Sequence, residues 1–582
     1  MSLLKYIGFK EKTIIINGNK KHLSPGQMFS GPAYLGEKFS DEFELLGVTK
    51  TSNTKEVVVK LEMKEYYSSE SRLELLEENS LPLVSICILT KDNPRVIKKC
   101  IESIYTHNHY PNIEILICDT GTTNQEVLTY YEEILKDDRV FIYRNHVYNY
   151  SKNNNFLAGK AGGGVLLFMN NDVFLTYDAI SEMVKYINCS NMGCLGHRMV
   201  WEREPMRIQH DGQLLYDNSG KWIGPGHKNY KKMIHEVEDT NVRVEGVTAA
   251  FLMVRKSIFD KVKGFSERYS DVYQDVDLNL KVSSLGYINF CIRKQYIIHV
   301  DHSSRDESDP IVKNRMVSDF QIFKRDWISK GNYPVKPNPR YSILICATNQ
   351  SQLKDLWMSI KTRDEYEFIF VNNKRNYMSS SVALNTLTEV SVGEIIFYTH
   401  QDVTFDVDEP FSMIDRTIGK LGNVFGVIGP AGVQYNGGHT VKGIDFSSNK
   451  YSFDAMRVQT LDEFCMITKR SNGLKFGEYL DHFHFYGADL CCEAMDKGLR
   501  NYVINVGITH HSGGSGNLKN EDGYAKYMES ARNFYKKWGV KHPKISTTTA
   551  RFQDGHIYYF LAHQLGLRPY EENIIVTNLE SV

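Results

Sequence analysis

Two short apolar runs end in groups able to do chemistry. Gly164-Val165-Leu166-Leu167-Phe168-Met169 stops at Asn170-Asn171-Asp172-Val173, and Glu394-Ile395-Ile396-Phe397-Tyr398 stops at Thr399-His400-Gln401-Asp402-Val403. Such a run reads as a strand covered on both faces, and polar groups just past its carboxyl end sit where open α/β sheets bind ligands. An Asp there can hold a divalent metal, which makes Asp172 and Asp402 the first candidates. Each ending alone also fits a core strand capped by a surface turn. Its recurrence within a similar series of segments points to a duplicated domain.

Other polar groups fall at comparable places. Thr90-Lys91-Asp92 follows the run Val84-Ser85-Ile86-Cys87-Ile88-Leu89, and Asp119 ends Ile113-Glu114-Ile115-Leu116-Ile117-Cys118. Between these runs Val96, Ile97, Ile101 and Ile104 recur at helical spacing. The amides of Asn149-Tyr150-Ser151-Lys152-Asn153-Asn154-Asn155 suit either a helix cap or a ligand. Val247-Thr248-Ala249-Ala250-Phe251-Leu252-Met253-Val254 is followed by Tyr273-Gln274-Asp275-Val276-Asp277-Leu278. The second half keeps the order. Tyr341-Ser342-Ile343-Leu344-Ile345-Cys346 comes first, and Glu367-Phe368-Ile369-Phe370-Val371 then ends at Asn372-Asn373 where Asp119-Thr120 stood. After the Asp402 run come Leu461-Asp462-Glu463-Phe464-Cys465-Met466-Ile467 and Phe485-Tyr486-Gly487-Ala488-Asp489-Leu490.

The elements that must position these groups divide the chain into four parts. Residues 1–78 alternate short β-like pieces with glycine and proline turns, a β-rich appendage. Residues 79–335 and 336–545 each alternate strands with amphipathic helices, the pattern of a largely parallel sheet covered by helices. The proline-rich passage Tyr333-Pro334-Val335-Lys336-Pro337-Asn338-Pro339 separates them. Residues 546–582 form a C-terminal tail whose aromatic piece His556-Ile557-Tyr558-Tyr559-Phe560-Leu561 suits docking onto a neighbouring domain or subunit. At 582 residues the chain exceeds one core. With 69 basic against 70 acidic residues nothing drives non-specific nucleic-acid binding, so an anionic ligand needs a local site. The 10 cysteines, many inside apolar runs, read as small buried hydrophobes in a reducing compartment, and no zinc site is expected. The N-terminus lacks the apolar core of a signal peptide, and no run approaches about 18 apolar residues. A cytoplasmic protein with at most peripheral membrane contact follows, its oligomeric state open.

The ordered set in the first unit resembles the family 2 glycosyltransferases of bacterial polysaccharide type, rhamnosyltransferase-like members in particular. It comprises Val84 to Asp92, Asp119, the YSKNNN and MNNDV segments, Arg207-Ile208-Gln209-His210-Asp211-Gly212 and the YQDVDL segment. The second unit resembles a divergent branch of the same superfamily. The resemblance implies an α/β architecture of two tandem GT-A (Rossmann-like) domains and a divalent cofactor, Mn2+ or Mg2+. Asp172 matches the metal-binding end of the acidic motif, with Asn170 in place of a frequent Asp. His299 matches the late metal-binding histidine, His302 being the alternative, and Asp402 and His510 are the second-unit counterparts, with His511 beside them. Asp119 matches the residue that reads the nucleotide base. Thr90, Asp92, Asn154, Asn171, Thr248 and Asn372 fall along the nucleotide-sugar path, and Arg305 suits phosphate or a surface ion pair. Asp275 matches the general base of inverting members, which removes the acceptor proton. In the second unit Gly487 stands at that position, leaving Asp489 or Asp462 to substitute.

What this implies is a metal-dependent inverting enzyme that moves sugars from UDP-, dTDP- or GDP-sugar donors to a saccharide or lipid-linked saccharide, with both units catalytic. Two other readings compete: one catalytic unit with a degenerate glycan-binding unit, and a non-catalytic carbohydrate-binding assembly protein.

Overall fold

Strands Val84–Thr90, Ile113–Asp119 and Val165–Met169 lie side by side in parallel because helices return the chain between them. Helices Pro94–His107, Gln125–Ile134 and Tyr150–Lys160 each start at an asparagine. The carboxamide oxygens of Asn93, Asn124 and Asn149 accept N–H groups that have no partner inside the helix. In this computed structural model the residues described are five N-terminal strands and 70–144, 146–204, 206–216, 222–300, 309–329, 339–362, 366–441, 455–511, 521–560 and 566–574.

The chain divides into the units Met1–Ser69 and Glu70–Val582. In the first, Ser2–Tyr6 lies between Met28–Gly31 and Phe43–Val48, and Lys12–Ile16 pairs with Asn19–Leu23, all antiparallel.

The larger unit has two lobes. The first is built on a ten-stranded sheet running Val173–Phe174, Ile288–His299, Met192–Trp201, Phe251–Arg255, Val165–Met169, Val84–Thr90, Ile113–Asp119 and Val140–Tyr143, with Ile208–His210 and Val242–Val244 paired off this path. The α/β class is as expected, but the sheet is mixed rather than largely parallel. Phe251–Arg255 enters from the Thr248–Ala250 turn without a crossover helix and runs antiparallel to both neighbours. The second lobe keeps the strand order and directions in a seven-stranded sheet: Tyr366–Asn372, Tyr341–Ala347, Ile395–Thr399, Cys465–Lys469, Phe425–Gly429, Arg500–Val503 and Met456–Val458.

One polar staple recurs in both lobes. Ser85 Oγ donates to Glu114 while Gly163 N–H donates to both, and Ser342 Oγ donates to Glu367 while Gly393 N–H donates to both. A side chain at either glycine meets backbone: a Cβ on Gly393 would lie 2.6 Å from Ser342 N.

The lobes share one apolar core, in which helix Ala179–Ile187 packs near helix Ser380–Val390. Among the described residues the Tyr366 strand has no outer neighbour equivalent to Val140–Tyr143. A first-lobe turn covers its edge instead: Ser190 N–H donates to Phe370 O at 2.8 Å and Asn372 N–H to Asn188 O at 3.0 Å. Beyond helix Glu521–Trp538, strands Lys544–Ser546, Ala550–Gln553, His556–Tyr559 and Glu571–Asn573 form an antiparallel sheet with Phe552, Ile557 and Tyr559 buried. All 10 cysteines are free thiols and nine are buried. Among the described residues no helix is long and apolar enough to cross a membrane.

Candidate active site

In the first lobe the Val165 strand delivers Asp172 to the carboxyl edge of the sheet. Val173 pairs with His299, and Val300 N–H donates to the Asp172 carbonyl at 3.0 Å. This register brings His299 Nε2 within 3.3 Å of Asp172 Oδ1. His299 Nδ1 lies 2.7 Å from Gln209 Oε1, an oxygen that can only accept, so Nδ1 carries the proton. In the neutral ring Nε2 is then a lone pair facing a carboxylate oxygen. Two acceptors turned toward each other, one oriented by an outer hydrogen bond, suit a shared cation. His302 and Arg305 lie outside the described residues.

Asp275 is the second residue of helix Gln274–Ser284, which Tyr273 starts from a left-handed conformation, φ 70°. Asp275 Oδ2 accepts from Gln213 Nε2 at 3.1 Å and from Ala249 N–H at 3.4 Å. Ala250 O in turn accepts from Asn170 N–H at 2.8 Å, so one short segment ties Asp275 to the Asp172 turn. Burial pushes the Asp275 carboxyl up, against the N–H groups of Val276 and Ala249 and the charge of His227. Beside it His210 Nδ1 meets His227 Nδ1 at 2.7 Å. His210 is held well below the usual histidine range, first by burial and then by His227.

Asp119 is fully buried. Its Oδ1 accepts the N–H groups of Gly121 and Thr122, whereas Oδ2 has no hydrogen-bond donor among the described residues and lies 3.6 Å from Arg144 Nε. Thr90 Oγ1 accepts from Asn171 Nδ2, joining the Val84 and Val165 strand ends. Thr248 lies in the turn that carries Ala249, its Oγ1 accepting from Ala250 N–H. Asp92 and Asn154 are engaged locally. The Asp92 carboxylate, at φ 46°, accepts the N–H groups of Thr123 and Asn124, and these bonds hold it below its usual range. Asn154, buried in its helix, donates to Tyr150 O.

The second lobe repeats this geometry with one more candidate ligand. Val403 pairs with His510, His511 N–H donates to Asp402 O at 2.9 Å, and His510 Nε2 lies 3.4 Å from Asp402 Oδ1. His400, at the place of Asn170, sets Nδ1 3.9 Å from the same oxygen while Nε2 bonds Tyr486 OH. One ligand atom from each of His400, Asp402 and His510 lies within 4.8 Å of the others, a donor set that fits a divalent cation. Burial lowers the His400 pKa, against the pull of Asp402, and so favours the neutral, ligating ring. Phe464 stacks on His510 at 4.6 Å, and His511 turns away to Thr404.

Two second-lobe candidates are enclosed by the chain itself. Asp489 is fully buried, accepting from Gly477 N–H, Tyr479 OH, Trp538 Nε1 and Lys537 Nζ. It matches Asp277, which accepts from Trp327 Nε1 and is buried in the same way. Asn372 holds the register position of Asp119, but its amide donates to the carbonyls of Leu75 and Glu78 and is fully buried. Sequence reasoning also missed His400 as a ligand, legible from its alignment with Asn170. It missed Gln209, Gln213 and His227, which reach the site only through tertiary pairing.

Residues 85–263 match the family model Glycosyl transferase family 2. An uncharacterized protein, y4gI of Sinorhizobium fredii, is 32% identical over 255 residues, 42% of this chain and 28% of that protein. The O-antigen biosynthesis protein RfbC of Myxococcus xanthus is 26% identical over 231 residues, 38% of this chain and 18% of that protein. The chain thus spans less than a third of these two relatives. Among solved structures, GalNAc-T7 with UDP, GalNAc and Mn2+ aligns with TM-score 0.33 at 13% identity, covering 43% of this chain and 49% of that one. Residues 85–263, with Thr90, Asp119 and Asp172 inside them, are a family 2 glycosyl transferase domain.

Proposed function

We propose that the protein is a metal-dependent, inverting glycosyltransferase with two GT-A lobes, building a bacterial surface polysaccharide from nucleoside-diphosphate sugars. The observation that carries this reading is the linked pair at one sheet edge. Asp172 and His299 present facing acceptors for a cation, and the Ala249–Ala250 segment ties them to a partly exposed Asp275. Asn170, Asp172 and His299 would hold Mn2+ or Mg2+, which when bound supplies counter-charge to the departing diphosphate. Asp119 supports nucleotide binding, because its buried Oδ2 is an acceptor without a donor and suits a base N–H. Asp275 takes the acceptor hydroxyl proton as the new glycosidic bond forms. The likeness of this chain to an O-antigen biosynthesis protein supports the polysaccharide setting.

The test is turnover of UDP-, dTDP- and GDP-sugars by the purified chain with and without Mn2+ or Mg2+. Asp172→Ala should weaken metal-dependent donor binding. Unchanged metal dependence in that variant would remove the assignment.

For the second lobe the His400–Asp402–His510 set supports a separate transferase. A second reading, glycan binding without transfer, is favoured by Asn372, whose amide is taken by Leu75 and Glu78 where a nucleotide reader would stand. Asp402→Ala separates them: loss of one sugar from the product supports transfer, and full product at the wild-type rate supports binding.

A further inference from the structure

Gly487 matches Asp275 and Glu463 matches Ala249, so a carboxylate has changed sides between the two lobes. Helices Gln274–Ser284 and Tyr486–Asp496 both start from a left-handed aromatic residue, Tyr273 at φ 70° and Phe485 at φ 65°. Both carry a buried Asp on their fourth residue, bonded to a tryptophan Nε1, Asp277 to Trp327 and Asp489 to Trp538. Asp275 and Gly487 are therefore equivalent. At the facing turn, just before the strand, Asn170 N–H donates to Ala250 O and His400 N–H to Phe464 O, which makes Ala249 equivalent to Glu463. In the first lobe the helix carries the carboxylate and the turn an alanine whose N–H binds it. In the second lobe the turn carries the carboxylate, and Glu463 Oε1 accepts from Gly487 N–H at 3.2 Å.

The two positions exclude one another. A Cβ on Gly487 would lie 2.8 Å from Glu463 Cγ and 3.1 Å from Met466 Sδ. Glycine at 487 is thus the complement of glutamate at 463, not merely a lost base.

We propose that Glu463 is the catalytic base of the second lobe, delivered from the strand side in place of the helix-borne Asp275. The inference rests on the reading of that lobe as a transferase. Unlike Asp489, Glu463 is partly exposed, and its neighbour Tyr486 bonds the candidate ligand His400. In the step it would serve, the acceptor hydroxyl gives its proton to the Glu463 carboxylate as its oxygen bonds the anomeric carbon. The bond from that carbon to the nucleoside diphosphate breaks, and its electron pair leaves on the diphosphate oxygen. A carboxylate that only capped the helix would be held low by the dipole and the N–H groups. Burial, reinforced by Asp462, instead pushes Glu463 up to about 8 against the N–H groups of Gly487, Phe485 and Tyr486. A pKa near neutrality suits proton acceptance.

The experiment uses the full chain in an Asp275→Asn background, with Mn2+ and whichever UDP-, GDP- or dTDP-sugars the wild-type protein turns over, read by product mass and initial rate. Glu463→Gln should lower kcat of the remaining addition by about 10²- to 10⁴-fold with donor KM nearly unchanged. Glu463→Ala should regain rate with added formate. The pair Glu463→Ala with Gly487→Asp, which rebuilds the first-lobe arrangement in the space vacated, should regain it without formate. Full kcat in Glu463→Gln, while Asp402→Ala stops the addition, overturns the base and leaves the transferase reading standing. So does a larger loss in Asp462→Asn than in Glu463→Gln. A loss in Glu463→Gln that neither formate nor Gly487→Asp repairs assigns a capping role and overturns the base. If the Asp275→Asn parent makes no further addition, or if Asp402→Ala and Glu463→Gln both keep the parent's product and rate, the transferase reading of the lobe fails and the base with it.

Discussion

Asp275 and Asp489 lie two positions apart in the first turn of equivalent helices, yet one is partly exposed and the other is sealed. Their substitutions should therefore fail differently. Asp275→Asn keeps volume and removes the proton acceptor, and should cost about 10²- to 10⁴-fold in first-lobe transfer. Since burial raises the Asp275 pKa, the acid limb of the kcat/KM–pH profile should sit above that of an ordinary aspartate. The sign for stability is opposite to that for activity. A carboxyl whose folded pKa is raised costs stability once pH exceeds that pKa, so Asp275→Asn should melt no lower than wild type at neutral pH. Near-normal turnover by this variant would remove Asp275 from the mechanism. Asp489→Ala deletes the acceptor for Gly477, Tyr479, Trp538 and Lys537 and should lose about 3–5 kcal/mol in urea unfolding. A wild-type unfolding midpoint would show that these donors find other partners.

Among elements, the repeated staple is the clearest constraint. Gly163 and Gly393 bring the turn before a central strand onto the start of its neighbour, where Ser85 or Ser342 and Glu114 or Glu367 wait. Gly393→Ala would set a Cβ 2.6 Å from both Ser342 N and Tyr341 C, backbone atoms held in the sheet. A loss of about 1–3 kcal/mol is expected, read as a drop in melting temperature. An unchanged melting temperature would mean the turn relaxes freely. The cap in the Asn149 segment was legible because capping joins one side chain to the next three residues, and Asn93 and Asn124 follow the same local rule. The direction of the Phe251 strand was not, because alternation and apolar runs read the same in either direction.

In the whole molecule the lobes are joined by charge as well as by their common core. Arg243 Nη2 lies 2.6 Å from the buried Glu367 Oε2, and Glu389 accepts from Tyr186, Asn241 and Lys294 across the same boundary. Burial opposes ionisation of Glu367, yet Arg243 and hydrogen bonds from Ser342 and Val392 hold it below its ordinary 4.5. A depressed carboxyl contributes stability that is fully present above 4.5 and is lost as pH falls through the folded value. Hydrogen exchange at Phe370–Asn372 should accordingly rise in acid. Arg243→Ala should raise it at neutral pH by leaving Glu367 buried and unpaired, at a cost of about 3–5 kcal/mol. Protection equal to wild type in Arg243→Ala would assign the junction to apolar packing alone.

The sequence by itself determined what depends on near neighbours. Apolar runs ending at Asp172 and Asp402, a candidate asparagine cap in the Asn149 segment and a segment order repeated in two halves were all readable from patterns a few residues long. Family resemblance singled out Asp275 and His299, and both lie at a sheet edge linked to Asp172. Only the tertiary structure decided which second-lobe groups remain accessible. Asn372 looks like a ligand reader until Leu75, 297 positions earlier, takes its amide. Asp489 looks like a base until Lys537 and Trp538, 48 and 49 positions later, enclose it. Glu463 looks like one acid among many until the facing Gly487 gives its carboxylate room. Burial and hydrogen-bond satisfaction are set by segments that meet across the fold, and a linear pattern carries no record of that meeting.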